Sequence, residues 1–278
     1  MMKLPFTKMQ GLGNDFVVIE SLTTPRELTP EQIRFLANRH FGVGCDQVLW
    51  VGASEQEGVD FTYRIFNADG GEVFQCGNGV RCFARYVFDK GFTTKTNCVV
   101  QTKAGIMRPV LEPDGLVTVE MGQARFLPAQ IPLRTSEQAT RYQLDVAGET
   151  VEFGAVSLGN PHAVLQVDSV DTAPVDSLGR LLESHRFFPE RVNVGFMEVI
   201  SASDIRLRVF ERGVGETLAC GSGACAAVII GRLWSKLSDT VTVQLRGGEL
   251  RIRWSGDINS PIWMTGPAVT VFEGVIEL

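Results

Sequence analysis

Short stretches rich in Val, Ile and Phe recur along the chain, most of them bounded by Gly, Asn, Asp or Ser. Residues 16–19, 48–51, 61–65, 117–121, 151–156, 163–167, 194–199, 205–210 and 240–245 are of this kind. β-Branched and aromatic runs of that length between turn formers predict strands. Residues 92–100 read as a further strand. Helical patterning is confined to three places. Thr29 is placed to cap a helix over 29–39, with Pro30 in its first turn and Glu31 and Gln32 behind it, the residues that satisfy the free amides of a helix start. Residues 79–90 and 223–237 carry apolar positions at helical spacing: Val80, Phe83, Ala84 and Val87 in one, Ala224, Ala227, Val228 and Leu233 in the other. The fold class is therefore α+β, rich in strands and poor in helices.

The pattern repeats. Phe66-Asn67-Ala68-Asp69-Gly70-Gly71-Glu72 through Cys76-Gly77-Asn78-Gly79 returns 144 residues on. There it reads Phe210-Glu211-Arg212-Gly213-Val214-Gly215-Glu216 through Cys220-Gly221-Ser222-Gly223. Leu12-Gly13-Asn14 returns as Leu158-Gly159-Asn160 at an offset of 146, each followed by an apolar strand. Two blocks in one order at nearly one offset predict two copies of one fold, dividing near residue 120, with 122–132 as the linker. The expected domains are 1–121 together with the final strands, about 266–278, and 122–265.

Composition narrows the function. Lys and Arg number 26 against 32 Asp and Glu, for a formal net charge of −6 over 278 residues. No basic cluster is present to track a phosphate backbone, so nucleic acid is not an expected partner. Met1 to Gln10 holds two lysines and no apolar core, so no secretory signal is expected. No run approaches the ~18 apolar residues of a membrane span. Six cysteines form no C-x-x-C pair and three histidines stand at no ligand spacing. A metal is not expected, and the thiols read as reduced, as in a cytoplasm.

Chemistry is expected where each copy places a cysteine at a strand–turn–helix junction, Cys76 before Gly77-Asn78-Gly79 and Cys220 before Gly221-Ser222-Gly223. Glycines allow close approach of a ligand, and the free amides of a helix's first turn attract an anion. The same field favours a thiolate, so lowered thiol pKa values are expected, and Asn78 should add a donor to the first junction. One such turn taken alone is ordinary packing around a small buried residue. Cys45, Cys82, Cys98 and Cys225 keep that reading. Two equivalent sulfurs answer a specific need: inverting a stereocentre beside a carboxylate requires a base on one face and an acid on the other. A thiol's ordinary pKa of ~8.5 puts both forms within reach of neutral pH.

Cys76-Gly77-Asn78-Gly79-Val80-Arg81-Cys82, Gly159-Asn160-Pro161-His162, and Glu211-Arg212-Gly213 leading into Ala219-Cys220-Gly221-Ser222-Gly223-Ala224-Cys225 resemble the diaminopimelate epimerase family. Gly11-Leu12-Gly13-Asn14-Asp15-Phe16 and Gly44-Cys45-Asp46-Gln47 resemble it too, and the likeness runs from about Phe6 to Leu278. The resemblance implies a cofactor-independent isomerase that interconverts LL- and meso-2,6-diaminopimelate, in lysine and peptidoglycan-precursor synthesis. It implies curved, mainly antiparallel, barrel-like sheets around a central helix, with the active site in the cleft between domains. By position it makes Cys76 and Cys220 the acid/base pair. Asn14, Gln47, Asn67, Asn160, Asn193, Glu211 and Arg212 become substrate-binding, with the backbone at Gly77, Asn78, Gly221 and Ser222. His162 and Glu211 tune the thiols. A homodimer is implied, with Phe272 at a contact position where relatives carry a tyrosine.

Three other readings share the two cysteines. A racemase of small cyclic amino acids would not need Arg212 and the Asn set, which suit a long substrate with a second amino-acid head. A redox dithiol pair fits poorly with a 144-residue separation and no C-x-x-C. A binding module for anionic ligands would show affinity without exchange.

Overall fold

A computed structural model describes residues 2–73 and 77–278. Cys76, singled out above, lies outside the described residues together with Phe74 and Gln75. The backbone divides into two compact units, Met1–Glu120 with Thr265–Leu278, and Met121–Met264.

The first unit contains β1 (Lys3–Gly11), β2 (Asn14–Ser21), α1 (Pro30–Ala37), β3 (Gln47–Ala53), β4 (Phe61–Asn67), β5 (Glu72–Val73) and α2 (Gly77–Asp89). The short strands β6 (Val100–Thr102), β7 (Gly105–Met107), β8 (Val110–Leu111) and β9 (Val117–Glu120) follow. The second unit contains β10 (Tyr142–Val146), β11 (Glu149–Ser157), β12 (Pro161–Gln166), α3 (Val175–Glu183), β13 (Asn193–Ser201) and β14 (Asp204–Glu211). It continues with β15 (Gly215–Glu216), α4 (Gly221–Leu233), β16 (Thr240–Leu245) and β17 (Gly248–Arg253). β18 (Trp263–Gly266) then leads to β19 (Val269–Glu277), which returns to the first unit.

Strand order in the first unit is β19-β1-β2-β3-β4-β6-β7 with β5 on β4, and in the second β10-β11-β12-β13-β14-β16-β17 with β15 on β14. The two orders correspond strand for strand. Each sheet is mixed and mainly antiparallel, with parallel pairs at equivalent places: β2 with β3 and β4 with β6, then β12 with β13 and β14 with β16. Each parallel step carries a helix in its connection, α1 and α2 in one unit, α3 and α4 in the other, as a parallel crossover requires. The barrel-like closure implied by the resemblance is not found: among the described residues no pairing joins β19 to β7, or β10 to β17.

Local chemistry explains the helices. Thr29 accepts from the Gln32 amide at 3.3 Å while Gln32 Oε1 accepts from the Thr29 amide at 2.9 Å, closing a capping box at the start of α1. Helices α2 and α4 begin two residues earlier than the periodicity predicts, which brings Asn78 and Ser222 into their first turns. Helix α4 is buried continuously from Gly223 to Gly231, as an all-apolar helix must be. Its close seat depends on Gly154, where a Cβ would lie 2.5 Å from Ile230. Helix α3 was not legible from periodicity; it has no side-chain cap and an interior Gly179 that lets Phe210 pack against it. The strand expected over 92–100 is reduced to Val100, because Asn97 makes only a single bridge to Val110 and Lys95 turns to Asp60.

Each unit also repeats one polar fastening. Arg64 on β4 forks onto Glu72 of β5 at 3.1 Å for both bonds, and Arg208 on β14 forks onto Glu216 of β15 at 2.7 and 2.8 Å. Bidentate pairing of this kind fixes direction as well as distance. It ties down the short strand that precedes each cysteine-bearing turn in the sequence.

Candidate active site

In both units the polar residues gather at the sheet end where the central helix begins. Parallel β2 and β3 start there, at Asn14 and Gln47, and antiparallel β4 ends there at Asn67. The register sets Gln47 opposite Asn67, and Gln47 Nε2 donates to Asn67 Oδ1 at 2.9 Å. Gly77 and Asn78 open α2 beside them, and Asn78 Nδ2 donates to Asn14 Oδ1 at 3.3 Å. Gly11 admits this crowding, since a Cβ there would stand 3.1 Å from the guanidinium of fully buried Arg81 and 3.7 Å from Asn78. Gly79 lets the helix press onto the sheet, because a Cβ would meet the Tyr63 hydroxyl at 2.4 Å. Asn78 donates one N–H of its amide to Asn14, and its buried Oδ1, like Gln47 Oε1, has no hydrogen-bond partner among the described residues.

The second unit builds the equivalent place from Asn160, Asn193, Glu211, Arg212 and the start of α4. The register pairs His162 with Asn193. Asn193 Nδ2 donates to Pro161 O at 3.0 Å and its Oδ1 accepts from the Arg212 amide at 3.0 Å. The turn bearing Arg212 is pinned further by buried Glu183, whose Oε1 accepts from the Gly213 amide at 2.9 Å. Arg212 donates one guanidinium N–H to Glu190 O at 3.0 Å. Thr217 Oγ1 donates to Glu211 Oε1 at 2.5 Å. At the helix start, Cys220 is the N-cap of α4 and 5% exposed. A relay of three contacts reaches it. His162 Nε2 donates to Asn160 Oδ1 at 3.1 Å, Asn160 Nδ2 donates to Ser222 Oγ at 3.2 Å, and Ser222 Oγ lies 3.7 Å from Cys220 Sγ.

Electrostatics overturns one expectation. The helix start was expected to lower the Cys220 pKa. Burial instead pushes its thiol well above the ordinary range, and the Glu211 carboxylate adds to the rise. The Ser222 hydroxyl and the Gly223 amide pull the other way and are outweighed. A sulfur in this setting holds its proton at neutral pH. His162, 1% exposed, is pushed down to about 3 by burial and by the nearby Arg212 charge, so its ring is neutral.

The structure thus brings Asn14 to Asn78 and Gln47 to Asn67 in one unit, and joins Asn160, His162, Ser222 and Cys220, and Asn193 with Arg212, in the other. Phe272 stands apart from both sets on β19, where it is 47% exposed and edge-on to Phe6. Sequence reasoning missed the role of Glu183, which carries no local signal because its contact spans 30 residues. Among the described residues, no group of three His, Cys, Asp or Glu is arranged to hold a metal ion. No described helix is long and apolar enough to cross a membrane.

Comparison with known proteins gives one answer. A family model described as diaminopimelate epimerase matches residues 6–127 and 154–271. The chain is 58% identical over 278 residues to the diaminopimelate epimerase of Thioalkalivibrio sulfidiphilus, covering all of both chains. It is 60% identical over 279 residues to that of Laribacter hongkongensis, again covering all of both. Among solved structures, a phenazine biosynthesis protein of the PhzF family from Bacillus anthracis shares the fold, with a TM-score of 0.71, 16% identity and full coverage of both chains. A hydroxyproline epimerase from Agrobacterium vitis shares it with a TM-score of 0.67 and 15% identity, over 99% of this chain and 92% of that one.

Proposed function

Because the chain belongs to the diaminopimelate epimerase family, and is therefore an isomerase, we propose that it interconverts LL- and meso-2,6-diaminopimelate by a two-base reaction of Cys76 and Cys220. The observation that carries this reading is Cys220 itself, a buried sulfur at the start of α4 reached by the His162–Asn160–Ser222 relay. In the direction where Cys220 begins as the thiol, the Cys76 thiolate removes the α-proton. The electron pair left on carbon is delocalised into the adjacent carboxylate, and Cys220 delivers its proton to the opposite face. The product carries an inverted centre, and the two sulfurs have exchanged protonation states. The reverse reaction begins from that exchanged state.

The carboxylate gains charge during this step, and the amides of Gly221 and Ser222, which have no carbonyl four residues back within the helix, are the donors suited to it. Their counterparts in the first repeat are Gly77 and Asn78. Diaminopimelate carries two ammonium and two carboxylate groups. The Arg212 guanidinium suits a carboxylate, while Asn67, Asn160, Asn193, Glu211 and the open acceptors of Gln47 and Asn78 suit ammonium groups. The reaction serves lysine and peptidoglycan-precursor synthesis. Assembly as a homodimer belongs to the same proposal. β19 is a sheet-edge strand that leaves Val269, Val271, Phe272 and Val275 exposed. Sedimentation should give twice the 30.5 kDa chain mass, and a monomer at micromolar concentration would remove this part.

The decisive experiment is incubation with LL-diaminopimelate in D2O without added cofactor. Deuterium should enter at the α-carbon as the centre inverts. Cys76→Ser and Cys220→Ser should each lower epimerisation by roughly 10²–10⁴-fold, the range for loss of a general acid or base. Undiminished epimerisation in either variant would refute the two-base scheme.

A further inference from the structure

The same three-part relay stands in both units, but its polarity is reversed. In the second unit the anchor is His162, which donates to Asn160 Oδ1, so Asn160 turns its NH2 to Ser222. In the first unit the anchor is Asp46. A carboxylate only accepts, and its Oδ2 takes the Asn14 NH2 at 2.9 Å. Asn14 must then present Oδ1 to α2, where Asn78 donates to it. Asn78 is left with its own Oδ1 buried and without a partner among the described residues.

Asp46 has both carboxylate oxygens engaged, with its side chain 45% exposed. Arg39 Nη2 donates to Asp46 Oδ1 at 2.7 Å, and the Asp15 amide donates to Asp46 Oδ2 at 3.2 Å. Asp15 returns the contact through Oδ1, which accepts from the Asp46 amide at 2.9 Å. Arg39 also forks onto Asp15 at 2.8 and 2.9 Å, and Lys8 Nζ reaches Asp15 at 2.6 Å. Lys8 is itself tied to Gly44 O, beside the Cys45-Asp46-Gln47 segment. Burial works to raise the Asp15 pKa, but the hydrogen bonds from Arg39 and Lys8 outweigh it and hold the carboxyl well below the usual range. The brace therefore stays charged wherever the protein is folded near neutral pH.

We propose that Asp46 is a positioning residue that fixes the direction of the Asn14 and Asn78 side-chain amides, so that Asn78 Oδ1 is offered as the acceptor for a cationic group of the ligand. An isolated amide can rotate by half a turn at little cost. Asp46 removes that freedom, because the reversed Asn14 would set a carbonyl oxygen against a carboxylate. Asn78 then presents an oxygen, which an ammonium group satisfies and a carboxylate does not. The consequence for turnover rests on the epimerase reading above; the amide orientation does not.

Two readouts test the role. In ¹⁵N-labelled protein the Asn14 NH2 should be protected from solvent exchange. Asp46→Asn keeps the shape but can donate or accept, and should speed that exchange at least tenfold and move the Asn78 NH2 resonance. Asp46→Glu retains an acceptor-only group and should recover part of the protection, which a purely structural role would not predict. In steady-state assays Asp46→Asn should lower kcat/KM about tenfold or more, chiefly through KM, without changing the pH at which Cys220 becomes alkylated. Measurements are made below the melting temperature of each variant, so loss of stability does not mask them. Unchanged Asn14 exchange in Asp46→Asn, or kcat/KM within twofold of the parent with diaminopimelate, would overturn the proposal. If the parent itself turned over no substrate, the functional reading would fail while the exchange data still judged the amide relay.

Discussion

The two sheet ends are built on one scaffold and carry opposite kinds of polarity. In the first unit, Asn14, Gln47, Asn67 and Asn78 are neutral amides, and the charges sit behind them in the Lys8, Asp15, Arg39 and Asp46 network. In the second, Glu211 and Arg212 bring charge to the equivalent edge, Glu183 braces their turn, and the residue behind the relay is a buried neutral histidine. Phe16, two residues after Asn14, occupies the place that His162 holds after Asn160, and both are fully enclosed. The two units share strand order, parallel pairs and the Arg–Glu fork. The side chains at their helix starts differ, and with them the direction in which each amide points. A repeated backbone therefore fixes where a site lies, while the anchor behind each amide fixes whether the site offers a donor or an acceptor.

Removing the charge that distinguishes the second edge should have the larger effect. Glu211→Gln should lower the Cys220 pKa, though not to the ordinary value, because burial is the main cause of the rise. Peptide-resolved alkylation across a pH series should show the Cys220 midpoint moving down and its rate at pH 8 rising severalfold. An unmoved midpoint would mean that the carboxylate does not act on the sulfur.

Acid should separate the units next. His162 has a folded pKa near 3 against about 6.5 in a free chain. Its depressed value means that stability is fully present above pH 6.5 and is lost as pH falls toward 3. The loss is at most about 5 kcal/mol at 1.36 kcal/mol per pKa unit. Asp15, also depressed, holds its contribution down to about pH 4 and loses it only below that. Hydrogen exchange should therefore show the second unit weakening between pH 6 and 4 before the first. His162→Gln should flatten that decline, and equal weakening of both units over the window would contradict the assignment.

Much of this was legible beforehand where local chemistry decides. The Thr29 capping box, the strands around 16–19, 48–51, 194–199 and 205–210, and the helix start at Cys220 follow from neighbouring residues alone. Helix α3 escaped because Gly179 and an uncapped start hide it, and its stability comes from packing under Phe210. Residues 92–100 are apolar enough for a strand, but only Val100 joins one, and Asn97 makes an isolated bridge to Val110. The Cys220 thiol departs from expectation for a related reason: a helix start lowers a pKa, but full burial beside Glu211 raises it more.

The amino-acid order by itself determined the repeated motif, the type of most elements and the residue types available for chemistry, since these rest on propensities and periodicities that act over a few neighbours. Tertiary structure alone decided the state of each polar group. Asp46 reaches Asn14 across 32 residues, Glu183 reaches Gly213 across 30, and Asn160 reaches Ser222 across 62. Such contacts set burial, amide direction and protonation, because desolvation and hydrogen bonding depend on what the folded chain packs against a group and not on what precedes it in sequence.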